Sequence, residues 1–169
     1  MSGQTRKADD LASAAQTTPA HDWRAWVGLL ARLVLGITYL VAGIDKGVNL
    51  EQTKRATRAF QILPYDLANL WGTFMPFLEV VLGVLLIIGL LTRFTAVLGG
   101  LLMVAFIIGI ASVWARGISI ECGCFGGGGA SATTHYPVDL LRDTGLLLCA
   151  AWLVLWPGTR LSLDGRLWG

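Results

Sequence analysis

The stretch Phe94–Trp114, FTAVLGGLLMVAFIIGIASVW, carries no charged residue and decides the fold. At about 1.5 Å per residue, such a run crosses a hydrocarbon core of about 30 Å as a helix. The whole chain is similar in character: its 169 residues are 54% hydrophobic and 14% charged, and its mean hydropathy is +0.63. A soluble domain carries about 25% charged residues. The composition therefore predicts an integral membrane protein, and a net charge of +2 does not indicate a nucleic-acid partner.

Further apolar runs on either side predict an all-α fold, a four-helix transmembrane bundle. The predicted spans are about 26–46, 71–91, 94–115 and 137–156, within one domain covering 26–157. The fourth span must include Asp139, Arg142 and Asp143, because Thr144–Trp156 alone is too short to cross. Pro137 suits its first turn. Residues 1–25 are polar and predict a disordered N-terminal tail, and residues 158–169 predict a short C-terminal tail.

The first span carries an inward stripe and is followed by a more polar segment. Small and polar residues recur at helical spacing on one face, and small residues allow helices to approach closely in lipid: Arg32, Gly36, Tyr39 and Gly43. Glu51–Leu63 is too polar to cross, but its apolar and basic residues fall on opposite helical faces. This predicts a short amphipathic helix on the membrane surface between spans 1 and 2, with a solvated loop as the alternative.

The loop Glu121–Gly129, ECGCFGGGG, holds two of the three cysteines. Cys122 and Cys124 can close only a small, strained disulfide ring, and strained disulfides tend to exchange readily. The pair therefore predicts a redox dithiol, with a static disulfide as one alternative. A metal site is another: with His135 the pair offers three ligands, whereas structural zinc takes four and Cu(I) accepts two thiolates. Cys149 lies deep in the fourth span and is expected to be buried and inert.

Ionisable side chains inside the predicted spans are costly and indicate a functional polar site. Glu79 lies in the second span, and Arg142 enters the fourth span from the side of the cysteine loop. We expect these two to pair beneath the loop, with Arg32 as the alternative partner of Glu79. Together with Asp143 they form a candidate pocket for a proton or a quinone head group. A buried ion pair that fixes helix register is the alternative interpretation.

Four spans would place both termini on one side of the plasma membrane. Basic residues divide almost equally between the two sides, but a tight turn at Arg93 and a basic N-terminal tail favour cytoplasmic termini. The cysteine loop would then face outward, where thiols can oxidise.

Four short pieces of sequence resemble the DoxX-type membrane proteins, and within them the MauE branch, which is linked to methylamine utilisation. The pieces are Arg32-x3-Gly36-x2-Tyr39-x3-Gly43-x2-Lys46, Pro76-Phe77-Leu78-Glu79-x3-Gly83 continuing to Gly89-Leu90-Leu91-Thr92-Arg93, Cys122-Gly123-Cys124-Phe125-Gly126, and Leu141-Arg142-Asp143. The resemblance implies a four-helix bundle associated with thiol–disulfide exchange outside the cytoplasm. It also implies a thioredoxin-fold partner, and it leaves quinone open as a cofactor.

These observations predict a membrane thiol–disulfide redox protein whose Cys122 and Cys124 exchange electrons with an extracytoplasmic thioredoxin-fold partner. Electrons would pass on to a quinone or another acceptor, and no resident metal is predicted. Whether the chain is itself an enzyme stays open. The alternatives are a non-catalytic assembly or anchor subunit of a membrane oxidoreductase complex, and a metal or small-solute carrier.

Overall fold

The computed structural model describes residues 20–118, 120–121, 129–130 and 136–156, and this part of the chain is helical apart from one very short ladder. The helices are α1 (Ala20–Val48), α2 (Leu50–Ala59), α3 (Tyr65–Ile88), α4 (Thr92–Ala115) and α5 (Tyr136–Leu155). Strands β1 (Ile120–Glu121) and β2 (Gly129–Ala130) pair antiparallel, with Ile120 opposite Ala130 and Glu121 opposite Gly129. The prediction of an all-helical fold is confirmed.

Two helices begin earlier than the predicted spans. Helix α1 starts at Ala20 rather than at Trp26, and α3 starts at Tyr65 rather than at Trp71. Hydropathy marks only the part of a helix that must lie in hydrocarbon, whereas polar residues such as Asp66 are favourable in a first turn beyond it. The predicted N-terminal tail thus overlaps α1. Residues 1–19 and 157–169 lie outside the described residues.

The tight connection predicted between the second and third spans is formed by a helix cap. Gly89 has a φ of 72° and ends α3 in the left-handed conformation, which glycine adopts without steric cost. The backbone N–H of Gly89 donates to the carbonyls of Leu85 and Leu86. Helix α4 then begins at Thr92, so that α3 and α4 are joined by three residues, 89–91.

Among the described helices, three are long and apolar enough to cross a membrane. They comprise Trp23–Val48, Tyr65–Ile88 and Thr92–Ala115, with mean hydropathies of 2.0, 2.0 and 2.5. Helix α5 has 20 residues but includes the charged residues Asp139, Arg142 and Asp143 near its start. By composition α5 therefore does not qualify as a span, and a crossing by α5 is a proposal.

Helices α1 and α3 touch backbone to backbone. A Cβ placed on Gly83 would lie 2.7 Å from the nitrogen of Leu40 and 2.8 Å from the carbonyl oxygen of Gly36. A Cβ on Gly43 would lie 2.8 Å from the carbonyl oxygen of Pro76. The predicted stripe on α1 does face inward, since Arg32, Gly36, Tyr39 and Gly43 are all buried. Small residues permit this approach in lipid, where apolar burial alone gives little drive for helix association.

The other side of α1 is closed by α4 and α5, which pack on each other. The Tyr39 hydroxyl donates to the carbonyl oxygen of Gly99 at 2.6 Å and ties α1 to α4. The buried apolar residues shared by the four long helices form one cluster: Ala31, Leu35, Tyr39, Leu82, Leu86, Ala96, Leu102, Met103, Leu146, Ala150 and Leu153.

Helix α2 lies across the end of the bundle at which α1 ends and α3 begins. The Thr53 hydroxyl donates to the carbonyl oxygen of Lys46 at 3.0 Å, and Arg116 donates to the carbonyls of Phe60 and Gln61 at the end of α2. Ala56 is buried, as expected for the apolar face. The other face is polar. There the Lys54 ammonium donates to Glu51 at 2.8 Å and lowers the pKa of that exposed carboxyl.

The contact between α1 and α3 can be tested with matched glycine variants. Gly83→Ala should lower the free energy of unfolding by about 1–3 kcal/mol, because the added methyl group meets backbone that cannot yield without separating the helices. Gly145→Ala on α5 adds the same group where no atom lies within 4 Å, and it should be neutral or slightly stabilising. Thermal unfolding in detergent, followed by circular dichroism, measures both. Equal stability of the two variants would contradict the backbone contact.

Candidate functional site

A buried ion pair between α1 and α3 is the centre of the candidate site. The Lys46 ammonium donates to Glu79 Oε1 at 2.6 Å, and the two side chains are 6% and 1% exposed. The same ammonium lies 4.9 Å from the centroid of the Phe106 ring on α4, within range of a cation–π interaction. Three helices thus contribute directly to one charged centre inside the bundle.

The close approach of α1 and α3 explains this pairing. Gly43 lies against Pro76 and Val80 of α3, and Lys46 follows Gly43 by three positions on the same helical face. Lys46 is thereby brought beside Glu79, which precedes Val80 by one residue. The ion-pair partner of Glu79 in the structure is thus Lys46 rather than the predicted Arg142.

Arg142 instead pairs on its own helix. Its guanidinium lies 2.9 Å from Asp143 Oδ1 and 3.3 Å from Asp139 Oδ1. These charged residues, all near the start of α5, form ion pairs with one another. Asp139 is within reach because residues three positions apart are neighbours on a helix surface. Asp143 is buried at 2% exposure, whereas Arg142 and Asp139 are part-exposed.

The three residues expected to form a polar pocket do meet around one cavity. Glu79, Arg142 and Asp143 line a space of about 20 Å³, together with Lys46 and Phe106. Glu79 Oε2 and Asp143 Oδ2 are both buried and accept no hydrogen bond from the described residues. A volume of this size accommodates about one water molecule, and a water there would have polar partners.

A second, larger cavity adjoins the first and also includes Lys46 and Phe106 in its wall. It has a volume of about 320 Å³ and lies beneath α2. Its lining is otherwise largely apolar: Thr53, Ala56, Thr57, Phe60, Ile62, Leu63, Trp71, Met75, Leu102, Ala105 and Gly109. The Lys46–Glu79 pair therefore lies next to both cavities.

The two loop cysteines lie outside the described residues, as does His135, but the chain on either side of them is placed. Ile120 packs with Phe60, Ile110 and Tyr136, so β1 lies beside the end of α2. The Tyr136 hydroxyl donates to the carbonyl oxygen of Ile118 at 2.6 Å and accepts from the N–H of Ile120 at 2.9 Å. Glu121 and Gly129 flank the cysteine segment. The ladder thus holds them beside the end of α2, where Phe60 lines the larger cavity.

The sequence also singles out Cys149 and Arg32. Cys149 is part-buried on α5, where it packs against the main apolar cluster and forms no disulfide with another described residue. Arg32 is buried at 2% exposure on the inward face of α1.

Lys46 is the functional residue that sequence reasoning missed. It stands at the end of the predicted first span, 26–46, where a lysine typically extends toward the membrane interface. One signal in the sequence was available: Lys46 continues the stripe of Gly36, Tyr39 and Gly43 by one more turn. A basic residue on a stripe of small residues lies where helices meet rather than on the lipid-facing surface.

Comparison with known protein families gives a match over most of the chain. The family model described as "Methylamine utilisation protein MauE" matches residues 24–156, a range that includes all five helices almost completely. The chain belongs to the MauE family. Comparison with curated proteins and with solved structures gives no match. Membership, together with three helices apolar enough to cross a bilayer, makes this MauE-family chain an integral membrane protein.

The Lys46–Glu79 pair predicts a specific pattern of stability changes. Lys46→Met should destabilise the protein by about 3–5 kcal/mol, because it leaves a carboxylate buried without its counter-charge. Adding Glu79→Gln to Lys46→Met should recover part of that loss, and the coupling energy of this pair should exceed that of Glu79→Gln with Arg142→Gln. Chemical unfolding in mixed micelles measures each free energy. Additivity in the Lys46 cycle would contradict the contact.

Proposed function

We propose that this protein is a membrane thiol–disulfide redox component whose Cys122 and Cys124 exchange electrons with an extracytoplasmic thioredoxin-fold partner. The observation that carries the proposal is the position of the ladder. The residues flanking the cysteine segment are paired with each other beside the end of α2, where Phe60 also lines the larger cavity. Reactivity of thiols requires access, and we propose that the partner reaches the dithiol on the side of the bundle where the ladder lies.

The proposal includes four membrane crossings, the fourth formed by α5. Its outward face is apolar over its whole length: Val138, Leu141, Leu148 and Leu155 are 64–76% exposed. Its charged residues satisfy one another or face the bundle, which is how charges are tolerated inside a membrane. With 20 residues it is long enough to cross.

Aromatic contacts support an even number of crossings. Trp23 at the start of α1 and Trp152 near the end of α5 have ring centroids 6.1 Å apart, and the Trp156 ring lies 4.4 Å from that of Trp152 at a tilt of 39°. The Arg24 guanidinium lies 5.9 Å from the Trp156 ring. Tryptophans concentrate at membrane interfaces. The start of α1 and the end of α5 therefore belong at one interface, which we assign to the cytoplasm, and α2 belongs at the outer interface.

The exchange reaction follows from the chemistry of two neighbouring thiols. In the direction that oxidises the partner, a partner thiolate attacks one sulfur of the Cys122–Cys124 disulfide and forms a mixed disulfide, releasing the other cysteine as a thiolate. The second partner thiolate then attacks the mixed disulfide, which leaves the partner oxidised and the loop as a dithiol. Two electrons and two protons must next pass to an acceptor, for which we propose a membrane quinone that leaves as quinol.

The family description names methylamine utilisation, and we propose that this chain serves that process as a membrane component of disulfide chemistry. A second candidate function is a non-catalytic anchor subunit. The buried ion pair between α1 and α3 favours it, because Lys46 and Glu79 would fix the register of these two helices without any reaction.

Serine variants of the loop distinguish exchange from anchoring. Cys122→Ser and Cys124→Ser should each abolish function while folding and insertion survive, because an i,i+2 crosslink closes almost no chain and contributes little stability. Cys122→Ser keeps Cys124, whose thiolate can attack the disulfide of the oxidised partner and has no second loop thiol to release it, so a mixed disulfide should accumulate. Non-reducing electrophoresis and mass spectrometry identify the attached protein.

Cys149→Ser is the matched control and should leave function unchanged. Full activity of both loop variants, with normal folding, would remove the redox proposal and leave the anchor subunit.

The proposed orientation has its own measurement. A membrane-impermeant thiol reagent applied to intact cells after mild reduction should label Cys122 and Cys124 and should leave Cys149 unlabelled. Single-cysteine versions of the chain separate the three positions. Labelling of the loop only after lysis would invert the orientation and exclude an extracytoplasmic partner.

A further inference from the structure

We propose that the cavity beneath α2 binds a neutral, lipid-soluble molecule that carries a flat ring and a carbonyl oxygen. The cavity has a volume of about 320 Å³, which is at the lower end of small-molecule sites. It is therefore large enough for a one- or two-ring compound, whereas the adjacent space between Glu79 and Asp143 is not. The proposal deepens the proposed function, since it gives the electron acceptor a place and a chemical class.

The walls of the cavity favour a flat ring. Phe60, Trp71 and Phe106 contribute aromatic side chains from three different elements, and Met75 and Leu102 fill the space between them. Aromatic side chains bind flat rings by stacking or edge contacts, and a thioether adapts to irregular shapes. The cavity is thus a predominantly apolar site with few polar groups, as is typical of ligand sites.

The Lys46 ammonium in the wall has donor capacity left for a ligand. An ammonium carries three N–H donors, and Glu79 takes one from Lys46. The Thr53 and Thr57 hydroxyls already donate within the helices, to the carbonyls of Lys46 and Thr53. Among the described lining residues, Lys46 is also the one that carries a charge. A carbonyl oxygen next to Lys46 would accept a charge-assisted hydrogen bond, which is stronger than a neutral one.

The same ion pair disfavours an anionic ligand. Glu79 already balances the charge of Lys46, so a carboxylate or phosphate head group would bring an uncompensated charge into an apolar space. A purely hydrocarbon ligand would leave the remaining ammonium donors without a partner. The charge of Lys46 is balanced by Glu79, its ammonium retains N–H donors, and the walls are aromatic. The cavity therefore favours a neutral ring that carries a hydrogen-bond acceptor.

Access to the cavity lies on the side of the bundle. Ile62 and Leu63, between α2 and α3, are 52% and 42% exposed, and Trp71 on α3 is 46% exposed. All three also line the cavity. A lipid-dissolved molecule can therefore reach the site laterally, between the end of α2 and the start of α3, without crossing water.

Direct binding in nanodiscs tests the site. The probe is a radiolabelled naphthoquinone methylated at both thiol-reactive ring carbons, so that it forms no adduct with the cysteines, and empty nanodiscs give the background. Ala105→Phe places a ring in the cavity and should weaken saturable binding about tenfold or more, which is a readout of affinity independent of activity. Ala111→Phe, exposed on the same helix and not lining the cavity, is the matched control and should bind like the unchanged chain.

Two competitors and one variant complete the test. Dimethylnaphthalene, which has the same shape without carbonyl oxygens, and the anionic lipid laurate should both compete poorly. Equal binding by the Ala105 and Ala111 variants, or effective competition by either compound, would overturn the proposal. The double variant Cys122→Ser with Cys124→Ser should bind the probe normally, so that a failure of the thiol chemistry is distinguished from a failure of this site.

Discussion

The structure depends on the close contact of α1 and α3 at Gly36, Gly43 and Gly83. Their missing side chains let the two backbones meet. The pairing of Lys46 with Glu79 depends on this short distance between the helices. With the helices this close, Lys46 reaches Glu79 and forms a short, buried ion pair. A single methyl group at the crossing would separate these charges, and a buried charge without its partner is far more costly than the pair.

Charge compensation within the bundle is organised in two separate units. Lys46 and Glu79 pair across α1 and α3, whereas Arg142 pairs with Asp139 and Asp143 along α5. Both units border one space large enough for a single water, and each contributes a carboxylate oxygen that accepts no hydrogen bond from the described residues. The division has a structural consequence: α5 satisfies most of its own charges, so its inward face can pack on α4 through apolar residues such as Leu146, Ala150 and Leu153.

Several features converge at one end of the molecule. Helix α2 covers the larger cavity, and Phe60 near its end contributes both to that cavity and to the apolar cluster around Ile120. The ladder that flanks the cysteine segment lies on this cluster. The larger cavity and the ladder therefore lie close together at the end of α2, and Lys46 is in the wall of that cavity.

The sequence by itself determined the helical class, the apolar spans, the inward stripe of α1 and the amphipathic pattern of α2, because length, hydropathy and periodicity are properties of a local segment. It also singled out Glu79, Arg142 and Asp143, which do share one cavity. Only the tertiary structure decided which cation pairs with Glu79, since that choice depends on how closely two helices approach. It likewise decided the helix ends, where polar residues continue a helix beyond the hydrocarbon. The larger cavity exists only between packed elements, because its walls come from α1, α2, α3 and α4 together.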